Sequence, residues 1–302
     1  MDTPGSTSNR QENRTVLYQD KDILIMSMMP AKPPLPLASD DWTLNTFLAF
    51  ADGPDIDRTV WTSPQWAANN NPSFFGQTAI ANQPDYGYPL GCVPVENNRA
   101  QLVLSTWNPC DAGKPATSYL GSQISTIQKW GLKSYQKVAF WARVKCPVGM
   151  PGGAVASLFS YNLLSSTPFQ HDEIDFEFAS NYWQQGAGQA VNTNVYVDDN
   201  TGLDQVVTIN VDTTQDMDLL IIWSANDIKW YIGDTLVRTE TGAVPQSDMS
   251  MTLNFWVPAS SWSWAYNGNF PAPASALTSP PTAPGTQWIY EVAFASVFVV
   301  NS

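Results

Sequence analysis

His171-Asp172-Glu173-Ile174-Asp175-Phe176-Glu177-Phe178 alternates acid against apolar from residue 173 onward. Successive side chains of an extended chain point to opposite faces. As a strand, the segment therefore puts Glu173, Asp175 and Glu177 on one face and Ile174, Phe176 and Phe178 on the other. The apolar face needs a core against it, and the acidic face needs a cleft or water. A strand buried on one face is the unit of an antiparallel sandwich, and the rest of the chain supplies companions. RAQLVLSTW from Arg99, KVAFWARVKC from Lys137, GAVASLFSY from Gly153, DEIDFEFAS from Asp172 and AVNTNVYVD from Ala190 all read as strands. So do DQVVTINV from Asp204, DLLIIWSA from Asp218, IKWYIGD from Ile228, SMTLNFWVP from Ser250 and YEVAFASVFVV from Tyr290. Short strands between turns, with few helical periodicities, point to an all-β sandwich of antiparallel sheets. In IKWYIGDTLV, Gly233-Asp234 sits between two apolar runs and marks a tight hairpin.

Composition points the same way. The 302 residues are 43% hydrophobic and 14% charged, enough apolar material for a packed core and too little charge for a disordered chain. Thirteen Trp, 11 Tyr and 13 Phe beside 23 Pro and 18 Gly favour strands joined by turn-rich loops. The balance of 27 acidic against 14 basic residues gives a net charge of −13, which excludes nucleic-acid binding through a basic face and disfavours anionic membranes and strongly anionic polymers. No run reaches the roughly 18 apolar residues of a membrane span. Residues 1–15 are polar and read as a flexible terminus carrying the sequon Asn13-Arg14-Thr15, with residues 16–302 as one domain. That terminus has no apolar leader core. Pro30–Pro36 and Pro271–Gly285 read as surface loops. Cys92, Cys110 and Cys146, an odd set without CxxC spacing, indicate neither a zinc site nor a disulfide framework. If one pair bridges a loop, it is Cys92 with Cys110.

The acidic face carries the chemistry. Same-face neighbours on a strand lie about 6–7 Å apart, and like charges so placed raise one another's proton affinity. A site needing one ionised and one protonated carboxyl uses that coupling. Glycoside hydrolysis is such a case, with a nucleophilic carboxylate about 5–5.5 Å from a carboxylic acid when configuration is retained. A merely solvated strand face would leave three consecutive acids without a Lys or Arg near in sequence. A Ca²⁺ site would space its ligands around glycine turns, not along an alternating run. His171 is the only histidine, and no Gly-x-Ser-x-Gly, P-loop or dinucleotide fingerprint appears, which argues against Ser-His, Cys-His and nucleotide chemistry. Sugars stack on aromatic rings and bond to amides. The candidates are Trp183 within Asn181-Tyr182-Trp183-Gln184-Gln185, Asn194 and Tyr196, and Trp256 with Trp262 and Trp264. Trp223 and Trp230, in runs apolar on both sides, fit the core.

At Glu173-Ile174-Asp175-Phe176-Glu177 the chain resembles glycoside hydrolase family 16, whose signature is E-x-D-x-E. Further segments follow in the family's order: Gly121-Ser122-Gln123-Ile124-Ser125-Thr126, Ala142-Arg143-Val144-Lys145, Gly153 to Tyr161, His171-Asp172, Thr193-Asn194-Val195-Tyr196, Trp223, Ile228-Lys229-Trp230-Tyr231 and Leu253-Asn254-Phe255-Trp256. The resemblance covers roughly residues 97 to 299. It implies a concanavalin A-like β-jelly roll of two curved antiparallel sheets, a cleft on the concave face and double displacement with retention. Glu173 would be the nucleophile, Glu177 the general acid/base and Asp175 the group between them that tunes the proton balance. Trp256, Trp262, Asn194, Tyr196, Trp183 and His171 would bind substrate. The unbulged motif is similar to lichenases, xyloglucan-active enzymes and fungal wall transglycosylases, which favours a neutral β-glucan, mixed-linkage β-1,3-1,4 or related. An endo-β-glucanase is thus expected, with a bell-shaped pH profile. A transglycosylase on the same glucans and a non-catalytic carbohydrate-binding jelly roll are the rivals. The resemblance implies no cofactor and no catalytic metal, although a structural Ca²⁺ on the convex face occurs in relatives. A monomer meeting a polysaccharide outside the cell or in the cell wall is expected, with a leader lying outside this chain. Three positions depart from the family's pattern: Gln136 replaces a glycine, Trp141 replaces the acid two before Arg143, and Gly233-Asp234 inverts the usual turn.

Overall fold

Alternation along the chain is realised as alternating burial, and it builds two facing sheets. A computed structural model of the chain describes residues 33–38, 42–63, 78–80, 92–108, 118–183, 189–198, 202–273 and 286–301. Residues 33–302 form one compact unit. The terminus expected at 1–15 with its sequon, Cys110, Gln184 and Gln185, and most of the proline loop after Pro271 lie outside the described residues.

The strands in chain order are β1 Thr43–Ala49, β2 Trp61–Thr62, β3 Thr78–Ile80, β4 Val95–Glu96, β5 Arg99–Ser105, β6 Tyr119–Thr126, β7 Lys137–Lys145, β8 Val155–Ser166, β9 Phe169–Ala179, β10 Ala190–Tyr196, β11 Gln205–Thr208, β12 Met217–Ser224, β13 Ile228–Ile232, β14 Thr235–Glu240, β15 Ser250–Trp256 and β16 Gln287–Val300. Each stretch read as a strand from sequence forms one, and β1, β2, β3, β4 and β6 add to them. Hydrogen bonding runs in the order β11-β10-β9-β8-β15-β6-β5-β16-β7-β12-β13-β14. This ribbon folds over between β6 and β5, which share the single pair Ser105–Leu120. The result is the curved two-sheet sandwich, with β11 to β6 as the front sheet and β5 to β14 as the back. The pairing is antiparallel except between β3 and β6, where Thr78 to Ile80 runs parallel to Tyr119 to Gly121. On the back sheet, β16 pairs with β7 along one edge, while β5 and then β1 share its other edge.

The core lies between the sheets. Ile174, Phe176 and Phe178 on β9 are fully buried and face Phe140, Leu219, Ile221, Trp223 and Trp230 of the back sheet's core. Trp223 and Trp230 are core residues, as their apolar flanks suggested. Polar ties from β13 and β14 cross the interface. The Trp230 Nε1–H donates to the Asp175 carbonyl at 2.9 Å. Arg238 on β14 donates through Nη1 to the Thr193 carbonyl at 2.8 Å and through Nη2 to Glu240 at 2.7 Å. A second apolar layer covers the outside of the back sheet, where Trp141, Leu220, Phe294 and Phe298 meet Leu37, Trp42 and Phe47. The loop expected at Pro30–Pro36 gives way to a helical turn, Leu35–Ala38, whose Leu35 N–H is accepted by Asp234 Oδ1 at 2.8 Å. Burial of Leu37 against that apolar layer explains why the turn forms. The expected hairpin is present: Gly233 takes φ +56° between β13 and β14, a left-handed conformation that glycine adopts without penalty. Cys92 and Cys146 are free thiols.

Candidate active site

β9 is an interior strand of the front sheet, with β8 on one side and β10 on the other, so its outward face is the middle of the sheet's floor. Register places polar residues in rows across that floor. Glu173 sits between Tyr196 and Tyr161, with Ser250 beyond. Asp175 sits between Asn194 and Phe159, followed by Thr252 and Ser125. Glu177 sits between Asn192 and Ser157, followed by Asn254 and Gln123. Directly paired residues share a face, and strands lie about 4.8 Å apart, so a row over five strands runs for about 19 Å.

The three acids differ in their surroundings. Glu177 is 7% exposed and accepts a hydrogen bond from Asn192 Nδ2 at 3.0 Å. Burial pushes its carboxyl up to about 8; the Asn192 bond opposes this, and the charges of Glu173 and Asp204 add to it. Asp175, also buried, is pushed well above the usual carboxylate range, first by burial and then by the charges of Glu173 and Glu177. A hydrogen bond with Glu173 is a further, smaller cause in the same direction. Glu173 has a second partner in His171, whose Nε2 lies 3.0 Å from Glu173 Oε2. Three rings surround the imidazole, with centroids at 5.4 Å for Tyr161, 5.1 Å for Phe169 and 4.9 Å for Tyr196. Burial, and then the charge of Asp175, pushes the Tyr196 hydroxyl up to about 12.

Alternation thus brings Glu173, Asp175, Glu177, Asn194, Tyr196 and His171 together on one floor. Two aromatic expectations need correction. Trp183 turns into the interior and packs against Phe255 at 6.3 Å, so it belongs to the core and not the cleft. Trp256 shares a row with Val155, beyond the Glu177 row, but it lies under Trp262 at 5.8 Å and is 1% exposed. The accessible aromatic surface at that end comes from the half-buried rings of Trp262, Trp264 and Tyr182, which stack in sequence. Asn194 spends its Oδ1 on the Val195 N–H at 2.8 Å.

The Glu177 row contains what the sequence reading missed. Gln123 Oε1, Ser157 Oγ, Asn192 Oδ1 and Asn254 Oδ1 are buried and have no hydrogen-bond partner. Leaving such an atom unmet costs about 1–3 kcal/mol. Counting by twos from Asn194 finds Asn192, and from Trp256 finds Asn254. Among the described residues, no three His, Cys, Asp or Glu side chains gather as a metal-binding group.

Comparison with known proteins adds three findings. The family model described as Glycosyl hydrolases family 16 matches residues 93–270. A curated beta-glucanase of Bacillus subtilis is 33% identical over 181 residues, 56% of this chain and 62% of its own length. A putative xyloglucan endotransglucosylase/hydrolase protein 1 of Arabidopsis thaliana is 28% identical over 141 residues, 44% of each chain. The chain spans about three fifths of the length of the bacterial relatives it matches. The solved structure of a Bacillus licheniformis beta-glucanase superposes with a TM-score of 0.58 at 19% identity, covering 85% of this chain and 98% of that one. At that identity the likeness is one of fold.

Proposed function

Because the chain belongs to glycosyl hydrolases family 16, we propose that its acid ladder cleaves the backbone of a neutral β-glucan, mixed-linkage β-1,3-1,4 or related, by double displacement. The observation that carries this reading is the contrast along one strand face: Glu177 holds its proton to about 8 while Glu173, two pleats away, has His171 Nε2 at 3.0 Å and Asp175 as its hydrogen-bond partner. In the first step a Glu173 carboxylate oxygen bonds to the anomeric carbon. The bond from that carbon to the bridging oxygen breaks, its electron pair stays on the oxygen, and the Glu177 proton completes the leaving hydroxyl. In the second step water attacks the anomeric carbon, Glu177 takes a proton from that water, and Glu173 leaves, so configuration is retained. Trp262 and Trp264, half-buried at the end of the floor, would offer faces to sugar C–H bonds. The reading includes a monomer acting outside the cell or in the cell wall.

Transglycosylation is the second reading, favoured by the match to the Arabidopsis relative. It uses the same residues, with a sugar hydroxyl in place of water. The test is reducing-end release from barley mixed-linkage glucan, xyloglucan, laminarin and agarose by wild type and Glu173→Ala. Release by wild type alone supports the nucleophile, and the responding polymer names the linkage. Longer products from added oligosaccharides support transfer. Glucan binding by calorimetry without new reducing ends would replace both readings with a binding protein. Glu177→Gln should lower kcat on a natural glucan by about 10²–10⁴-fold, the contribution of a positioned proton donor. Azide should restore Glu177→Ala with a β-glycosyl azide product and Glu173→Ala with an α-glycosyl azide.

A further inference from the structure

We propose that His171 is a positioning residue that fixes the carboxylate of Glu173 for attack. This inference rests on the reading of Glu173 as the nucleophile. Glutamate has three rotatable side-chain bonds, and a strand places only its Cβ. Here the carboxylate is bracketed along the strand, because His171 and Asp175 stand two residues to either side of it on the same face. Asp175 is its partner on one side. From the other, His171 Nε2 approaches Glu173 Oε2 to 3.0 Å.

The imidazole is itself fixed. It is 6% exposed, and aromatic rings from three adjacent strands surround it: Tyr161 of β8 at 27° between planes, Phe169 of β9 at 45° and Tyr196 of β10 at 39°. Tyr161 and Tyr196 are also the direct cross-strand partners of Glu173, so the register that pairs the nucleophile also builds the walls around the ring. A sugar-stacking platform would present its ring face to the cleft. This ring is covered by its neighbours and presents a nitrogen to the acid.

The variants separate the nitrogen from the ring. His171→Phe keeps an aromatic in the cage and removes the N–H; His171→Gln replaces the N–H with an amide donor. For the Phe variant, kcat on the responding glucan should fall about 10–100-fold, the cost of a misplaced reacting group, with KM within about twofold and the melting temperature retained. The Gln variant should recover most of that loss. Labelling of Glu173 by an epoxyalkyl β-oligoglucoside, followed by mass spectrometry, should slow in the same proportion in the Phe variant. A Phe variant with wild-type kcat overturns the proposal. So does a loss confined to KM, which would make His171 a sugar contact. If the Phe variant does not fold, His171→Ala with added imidazole is the test: activity that climbs with imidazole supports the role, and no response overturns it. A wild type inactive on every β-glucan removes the reading of the site. An active wild type with an unaffected Phe variant removes only the role of His171.

Discussion

Glu177 keeps its proton to about 8 because burial takes away the water that would stabilise its charge, and the single Asn192 amide only partly replaces that water. As proposed general acid it must be protonated, so kcat/KM should decline as pH rises through about 8, and Glu177→Gln should lose that basic limb. The same proton sets a stability slope. The unfolded chain gives it up near 4.5 and the folded chain near 8, so between those values the folded state binds more protons and stability falls as pH rises. Thermal unfolding should show a melting temperature that drops from pH 4.5 to 8. Glu177→Gln should flatten that slope and melt a few degrees higher near neutral pH. A variant melting in parallel with wild type would contradict the burial argument. The acids were legible in the sequence because alternation is local. Asn192 and Asn254 lie two residues from Asn194 and Trp256 and could be counted to, but their meeting with Ser157 and Gln123 in one row was hidden, because it depends on register between strands far apart in the chain. The burial of Trp183 and Trp256 was equally hidden, since a tryptophan next to a motif suits a core as well as a cleft.

At the scale of elements, β14 is an edge strand tied to the front sheet by one side chain. Arg238 reaches β10 through Thr193, pairs with Glu240 and lies 5.0 Å from the centre of the Trp230 ring. Its side chain is 6% exposed, so removing it would leave the buried Thr193 carbonyl without its donor, although Glu240 keeps the Gly242 N–H. Arg238→Met should therefore lower stability by about 2–3 kcal/mol, measured by denaturant unfolding. Activity at low temperature should survive, because Thr193 points away from the cleft while Asn192 and Asn194 point into it. The strands with clear alternation were read correctly from their residues. β6 was read only as a family segment: its buried positions include Gly121 and Gln123 and its half-buried ones Ser122 and Ser125, residues that look like loop until β15 and the short β2 and β3 are seen to flank it. The parallel pairing of β3 has no local signature at all.

At the scale of the whole molecule, the net charge of −13 sets which polymers approach. Carboxymethylated glucan should be a poor substrate at low ionic strength and improve as salt is added, since charges are screened within about 10 Å at 0.1 M. Neutral glucan should show little change over the same range. A carboxymethylated polymer cleaved equally well at low salt would sink this expectation. The sandwich class was legible because it follows from strand-level alternation; the order of strands was not, because β15 inserts between β8 and β6 only in space. The same non-local order bears on biosynthesis. β16 is the last of the described strands in the chain, yet it sits inside the back sheet between β7 and the β5–β1 edge. Until β16 has left the ribosome, β7 and β5 each expose an unpaired rim, the kind of surface that recruits another chain. The nascent protein therefore cannot finish its sheet until residues 287–300 have been made, and its yield in a host should depend on what shields those rims before then.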